Sequence, residues 1–247
     1  MGQICSQNLA FGTSKTKKEQ TKPGYSTVAS GSETKTDLIK EEGKKKPHRY
    51  DDILKEADSI PKTSLEEIIK DGIFLKNRRK RFWLEDKTGY NCFILYAREL
   101  EIIWGEDLRY WNWFYIKENS DVEIEVARLI AVCWLEVRGI FDTSYLNPDV
   151  TYEVKFLVMM ENGHGWNVPI KLNLKLPDGS VQQHEEVLNE KQISQWFELK
   201  AGEFSASKEK AGEIEFSLCE VEERNWKSGL VVKGVVIRPK NSTRQTN

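Results

Sequence analysis

The sequence predicts an all-β domain, an antiparallel sandwich or barrel, standing behind a basic N-terminal tail. Three observations carry this expectation. Ile170, Leu172, Leu174 and Leu176 alternate with polar residues, as do Val150, Tyr152, Val154 and Phe156, and again Ile214, Phe216 and Leu218. That period of two places one apolar face toward a core. Turn residues such as Pro177-Asp178-Gly179-Ser180 separate the runs, because Pro presets φ and Gly supplies the left-handed corner. No long helical pattern intervenes after residue 92, so roughly eight or nine short strands are expected there.

The tail comes first. Residues 1–50 carry ten Lys/Arg against five Asp/Glu and few large apolar side chains. Such a segment buries too little surface to offset chain entropy and reads as disordered. Residues 51–91 read as a helical connector with a basic run. Ile53, Leu54 and Ala57 fall at helical spacing, and Pro61 interrupts. A second helix opens at Thr63 or Ser64, where Glu66 or Glu67 completes a capping box. Leu65, Ile68 and Ile69 form its stripe, and Gly72 ends it. The run Lys76, Arg78, Arg79, Lys80 and Arg81 reads as a solvated loop, nuclear import or RNA contact being the other readings.

The domain follows at 92–240, with residues 241–247 a second tail. Strands are expected near 93–96, 99–104, 112–116, 132–138, 195–199 and 230–237, while 122–130 suits strand or helix. Between 92 and 239 acids outnumber bases by nine, so the overall net charge of −2 averages a basic tail and an acidic domain. The longest apolar runs fall far short of the roughly 18 residues of a spanning helix. The aromatic content of 11% with modest Gly and Pro excludes collagen, coiled coil and full disorder.

Cysteine usage points to a cytosolic or nuclear protein with reduced thiols. Cys5, Cys92, Cys133 and Cys219 form no close pair, and no apolar leader precedes them. Cys92, Cys133 and Cys219 sit in strand-like apolar runs and are expected to be buried. The sequon at Asn241 then stays unmodified.

Catalytic chemistry finds little to use. His48, His164 and His184 lie at no metal-ligand spacing, so no metal or cofactor is expected. There is no nucleophile elbow and no phosphate loop, and Gly163-His164-Gly165 lacks the third glycine of a dinucleotide fingerprint. A pair of glycosidase carboxylates requires no fixed spacing. The expectation is nevertheless a non-enzyme.

Eight tryptophans exceed what a core of this size needs, and residues 97–115, ARELEIIWGEDLRYWNWFY, concentrate three of them. Indoles flanked by acids and an amide suit a sugar, whose C–H face stacks on the ring while its hydroxyls pair with polar groups. Trp113 reads as a strand anchor. Trp104 and Trp111 border a Gly/acid loop, and composition leaves ligand stacking and packing both open for them. Trp134, Trp196 and Trp226 read as packing. Trp166, in the GHGW loop, reads as exposed, with a second wall of the sugar groove as the alternative.

The segments ARELEIIWGEDLRYWNW, EVARLIAVCWLEVRG and WKSGLVVKGVVIRPK together resemble the phloem protein 2 family, the family of the Nictaba-type plant lectins, over about 150 residues. The resemblance implies a jelly-roll β-sandwich that binds N-acetylglucosamine oligomers or N-glycosylated proteins without catalysis. It implies Trp104 and Trp111 as the stacking pair, with acids nearer the C-terminus, among Glu215, Glu220 and Glu222, completing the site. It also allows homodimers. The competing implication is a phloem structural or RNA–protein module without sugar binding.

Two residues of the tail carry a last motif. Met1-Gly2-Gln3-Ile4-Cys5-Ser6 fits N-myristoylation at Gly2. Cys5 offers a palmitoylation site, the second signal that stable anchoring needs, and the positive tail favours an anionic leaflet. The expected location is cytoplasmic, at the plasma membrane through acyl chains, with nuclear import the rival outcome.

Overall fold

The computed structural model describes residues 46–59 and 64–240. Gly2, Cys5, Pro61 and Asn241 lie outside the described residues. Two short helices open the described chain, α1 (Tyr50–Lys55) and α2 (Leu65–Lys70). Ser64 caps α2: its hydroxyl accepts from the Glu67 N–H at 3.3 Å, while the Glu67 carboxylate accepts from the Ser64 N–H at 3.1 Å. Such a cap is worth about 1 kcal/mol, and it starts the helix at the expected place. Ile53 and Ile68 are buried, so both helices pack onto the domain.

Thirteen strands follow among the described residues. They are β1 (Ile73–Leu75), β2 (Lys80–Leu84), β3 (Asn91–Tyr96), β4 (Glu101–Ile102), β5 (Trp111–Lys117), β6 (Glu123–Leu129) and β7 (Leu135–Asp142). Then come β8 (Thr151–Met160), β9 (Ile170–Lys175), β10 (Val181–Glu186), β11 (Trp196–Ser205), β12 (Glu213–Glu220) and β13 (Leu230–Pro239). All ladders between these strands are antiparallel. The ambiguous stretch 122–130 is strand β6.

The larger sheet has eight strands and the smaller has five, in the order β10-β9-β12-β7-β4. In the larger sheet β13 is central. One of its edges pairs with β8, which in turn pairs with β11. The other edge is shared, Val231 and Val232 facing β6 and residues 234–237 facing β3. Because β13 is paired on both edges and covered on both faces, its sequence LVVKGVVI is nearly continuous in apolar residues instead of alternating.

The core lies between the sheets. Tyr152, Val154, Phe156, Val158 and Met160 of β8 meet Ile214, Phe216 and Leu218 of β12 and Ile170, Leu172 and Leu174 of β9. Each such side chain contributes about 1.5–3 kcal/mol on burial, which locks the register, since a one-residue slip would turn every one of them outward. A smaller apolar cluster, including Ile94, Tyr96, Val126 and Val231, covers the outer face of the larger sheet.

Two expectations for this region change. The basic run 76–81 is the turn of the β1–β2 hairpin, running into β2, rather than a loose loop ahead of the first strand. Lys76, Asn77 and Arg78 all take positive φ, near 53°, 56° and 62°. The Asp58 carboxylate holds them there by accepting the Asn77 and Arg78 N–H groups at 2.6 and 2.7 Å. Of the thiols, Cys92 is buried, but Cys133 and Cys219 are only partly so; all three are free.

Candidate functional site

The segment expected to bind ligand forms one rim of the sandwich. After β4 the chain leaves the smaller sheet in a tight turn: Ile103 N–H still reaches Glu136 O at 3.1 Å, and Gly105 N–H turns back to Ile102 O at 2.9 Å. Between them sits Trp104, with φ of 58°. The left-handed region is uncommon for any side chain and a true outlier for a bulky one. Such strain persists only where neighbours enforce it.

The neighbours are two other tryptophans. Trp111 Nε1–H donates to Ile103 O at 3.1 Å, and Trp113 Nε1–H donates to Gly105 O at 2.7 Å. The carbonyls of the two residues flanking Trp104, Ile103 and Gly105, are therefore held by indole donors from β5. Arg98 lies over the Trp113 ring, 3.5 Å from its centroid, and pairs with Glu106 at 2.7 Å and Glu125 at 2.9 Å, tying the turn to β6. Asp107 completes the framework: its main-chain carbonyl accepts from Tyr110 and Trp111 N–H, and its carboxylate grips Arg109 at 2.6 Å. The hydrogen bonds from the Arg109 guanidinium and backbone hold the Asp107 carboxyl down at about 2.

The resulting surface has an apolar platform and polar margins. Trp104 is 46% exposed and leans on Tyr110, ring centroids 5.3 Å apart and planes 39° from parallel. Leu108 is exposed at the turn's tip, with Glu106 and Asn112 also open to solvent. Such a face can stack on the C–H side of a ring and offer acceptors to its hydroxyls.

Trp111 departs from the expected pair. It is 1% exposed, its ring packed in the core beneath the turn, so it has no free face for a ligand. The cause is strand phase. Trp111 pairs with Leu129 of β6 and shares its inward side, which composition could not reveal. The structure thus brings the two residues together as one exposed ring and one buried support.

Four other tryptophans also differ from expectation. Trp134 and Trp226, read as packing, are 45% and 52% exposed, and Trp196 is open on the edge strand β11. Trp134 follows a bend at Cys133 that breaks the strand phase, and its Nε1–H donates to Glu136 at 3.0 Å. Trp166, read as exposed, is buried, with Nε1–H donating to Ser228 O at 2.8 Å. The GHGW loop lies so close to residues 226–229 that a Cβ on Gly165 would stand 1.9 Å from Trp226 O, and φ there is +87°. Gly163 and Gly165 were the signal that this loop packs backbone on backbone.

Of the C-terminal acids, Glu220 is buried in an ion pair with the fully buried Lys227. Glu215 and Glu222 are exposed and pair with Lys175 and Lys171. Glu215, together with Glu101, Arg138, Asn173 and Ile140, lines a groove of about 740 Å³ on the outer face of the smaller sheet. Among the described residues no cluster of three His, Cys, Asp or Glu side chains is placed to hold a metal ion.

Comparison with known proteins gives this rim a family. The phloem protein 2 family matches residues 90–239. A protein of Luffa acutangula named simply "Lectin" is 44% identical over 200 residues, covering 78% of this chain and 94% of its own. Protein PHLOEM PROTEIN 2-LIKE A1 of Arabidopsis thaliana is 39% identical over 203 residues, 79% of this chain and 82% of the relative. Among solved structures, a xylan-binding domain from Paenibacillus barcinonensis aligns over 58% of this chain and 87% of its own, at 11% identity and a TM-score of 0.33. The matched region runs from β3 to the end of β13 and includes the Trp104 turn with both of its indole supports: the chain belongs to the phloem protein 2 family.

Proposed function

We propose that this protein is a carbohydrate-binding lectin that recognises N-acetylglucosamine oligomers or the cores of N-glycans, and that it acts without catalysis. The observation that carries the reading is Trp104, an indole held half-exposed in a strained conformation by hydrogen bonds to the carbonyls on both sides of it. Strained backbone of this kind clusters at ligand-binding sites. The Luffa relative, a lectin by name, supports it. In this reading Trp104 and Tyr110 stack on a pyranose ring, Glu106 and Asn112 meet its hydroxyls, and Trp111 serves the site from below by fixing the turn.

A glycan array with the wild type and Trp104→Ala tests it. The expected result is selective binding of N-acetylglucosamine oligomers, falling at least about tenfold, or 1.4 kcal/mol, in the variant. No glycan signal from the wild type overturns the lectin reading in favour of an RNA- or protein-contacting module, for which the exposed Arg78 and Arg79 would be the contact face. Unaltered binding by a folded Trp104→Ala protein overturns the site. Acylation at Gly2 and Cys5 would tether this lectin to a cytoplasmic membrane face; Gly2→Ala should release it, and unchanged membrane association would refute the tether.

A further inference from the structure

Three of the four exposed tryptophans stand on the same rim. Single exposed apolar residues are ordinary, but Trp104, Trp134 and Trp226 are brought together by strand register. Ile103 N–H donates to Glu136 O, which lays the Trp104 turn against the start of β7, next to Trp134. On the other side of that segment Val132 and Lys227 exchange both backbone hydrogen bonds, at 3.0 and 2.7 Å, which places Trp226 beside Cys133 and one residue from Trp134. Three neighbouring chain segments thus each carry one indole. At about 4.8 Å between neighbouring backbones the row spans roughly 10 Å, the reach of more than one sugar ring.

Each of the two further indoles is mounted on a rigid support. Glu136 accepts the Trp134 N–H and is itself 3.4 Å from Arg138. Lys227, fully buried, donates to Cys133 O at 3.0 Å and Asn225 O at 2.9 Å, and pairs with Glu220, whose second oxygen accepts the Glu222 and Glu223 N–H groups. One ammonium group therefore fixes the main chain immediately before Trp134 and before Trp226. Beneath Trp226 the GHGW loop is closed by a reciprocal pair, Ser228 N–H to His164 O at 3.1 Å and His164 N–H to Ser228 Oγ at 3.2 Å. Large exposed rings on loops held this firmly lose little conformational entropy when a ligand stacks on them. The carboxylates of Glu136, Glu222 and Glu223 around them disfavour anionic ligands and offer acceptors to hydroxyls.

We infer that Trp134 and Trp226 are additional stacking subsites for a neutral, extended oligosaccharide, lengthening the platform that begins at Trp104. The inference rests on the lectin reading above, and the test separates the two. Calorimetric titration of the full chain with the disaccharide and the tetrasaccharide of β-1,4-linked N-acetylglucosamine compares the wild type with Trp134→Ala, Trp226→Ala and, as a control on the other sheet, Trp196→Ala. The wild type binds the tetrasaccharide more tightly than the disaccharide. Trp134→Ala and Trp226→Ala each weaken the tetrasaccharide by about three- to tenfold, the range of one aromatic stacking contact, and leave the disaccharide within about twofold of wild type. Trp196→Ala changes neither, and Trp134→Phe, which keeps a ring but loses the N–H to Glu136, recovers part of the tetrasaccharide affinity. Thermal melting of each variant verifies the fold. Wild-type tetrasaccharide affinity in both folded alanine variants overturns the added subsites while leaving the lectin reading in place. Failure of the wild type to bind either oligomer overturns both.

Discussion

Replacing Trp104 by glycine separates a ligand-facing indole from a structural one, because the two roles predict opposite costs. The left-handed backbone at Trp104 strains an L-residue by about 1–2 kcal/mol, and glycine releases that strain. Against this stand the ring contact with Tyr110 at 5.3 Å, about 0.5–1.5 kcal/mol, and the extra backbone entropy of glycine, about 0.5–1 kcal/mol. The terms nearly cancel, so Trp104→Gly should change stability by no more than about 1 kcal/mol while abolishing sugar binding. Trp111 provides the contrast. It is 1% exposed in the core, and Trp111→Ala should cost about 3–5 kcal/mol. In a domain of this size that lowers the melting temperature by roughly 6–20 °C. Urea unfolding measures both, with a constant slope as evidence that only stability has changed. A loss of about 3 kcal/mol or more in Trp104→Gly would show that Trp104 is a packing residue, and the argument from strain would fail.

Three further outcomes follow from other parts of the molecule. Lys227→Ala leaves the buried Glu220 charge without its partner and should destabilise by about 3–5 kcal/mol, with Lys227→Met/Glu220→Gln recovering part of the loss in the same urea assay. Asp107 is held at about 2 by Arg109, below the ordinary carboxylate value of about 4. The support it gives the Trp104 turn is therefore complete above that ordinary value and is lost as pH falls toward 2. Sugar affinity should show no loss attributable to Asp107 between pH 7 and 5, then a decline on further acidification that Asp107→Asn removes. Burial pushes the Cys92 thiol up to about 12, so iodoacetamide at pH 8 should leave Cys92 unmodified until urea unfolds the chain, as peptide mapping would show.

The strands were the legible part of the fold. Alternation in β8, β9 and β12 reports a face toward a core, and those strands stand where the period of two places them. β10 escaped because VQQHEE has no inward face: it is an edge strand held by backbone pairing to β9 and by Gln182, whose amide bonds both the N–H and the C=O of Glu203 on β11. The tryptophans were the least legible. Indole burial depends on strand phase, and phase is reset wherever the chain bends, as at Cys133 before Trp134 or at the turn between Trp104 and Trp111. The acidic and aromatic composition of 97–115 singled out a loop that presents an exposed indole, but not which of its rings faces water. That Trp111 and Trp113 act through their N–H groups on the neighbouring turn is information held in three dimensions only.

The position of β13 governs the integrity of the larger sheet. It lies at the centre of the larger sheet, between β8 on one side and β3 with β6 on the other, yet among the described strands it comes last in chain order. Without residues 230–239, the edges of β3, β6 and β8 that now pair with β13 would have no backbone partner in this sheet. Filling that place pairs Ile237 with Phe93, contacts of long sequence separation that form slowly. A chain lacking β13 would leave those edges open to other strands. β13 joins β8 to β3 and β6, so a truncation reaching into Val231–Ile237 would remove the keystone of the larger sheet, not merely shorten it.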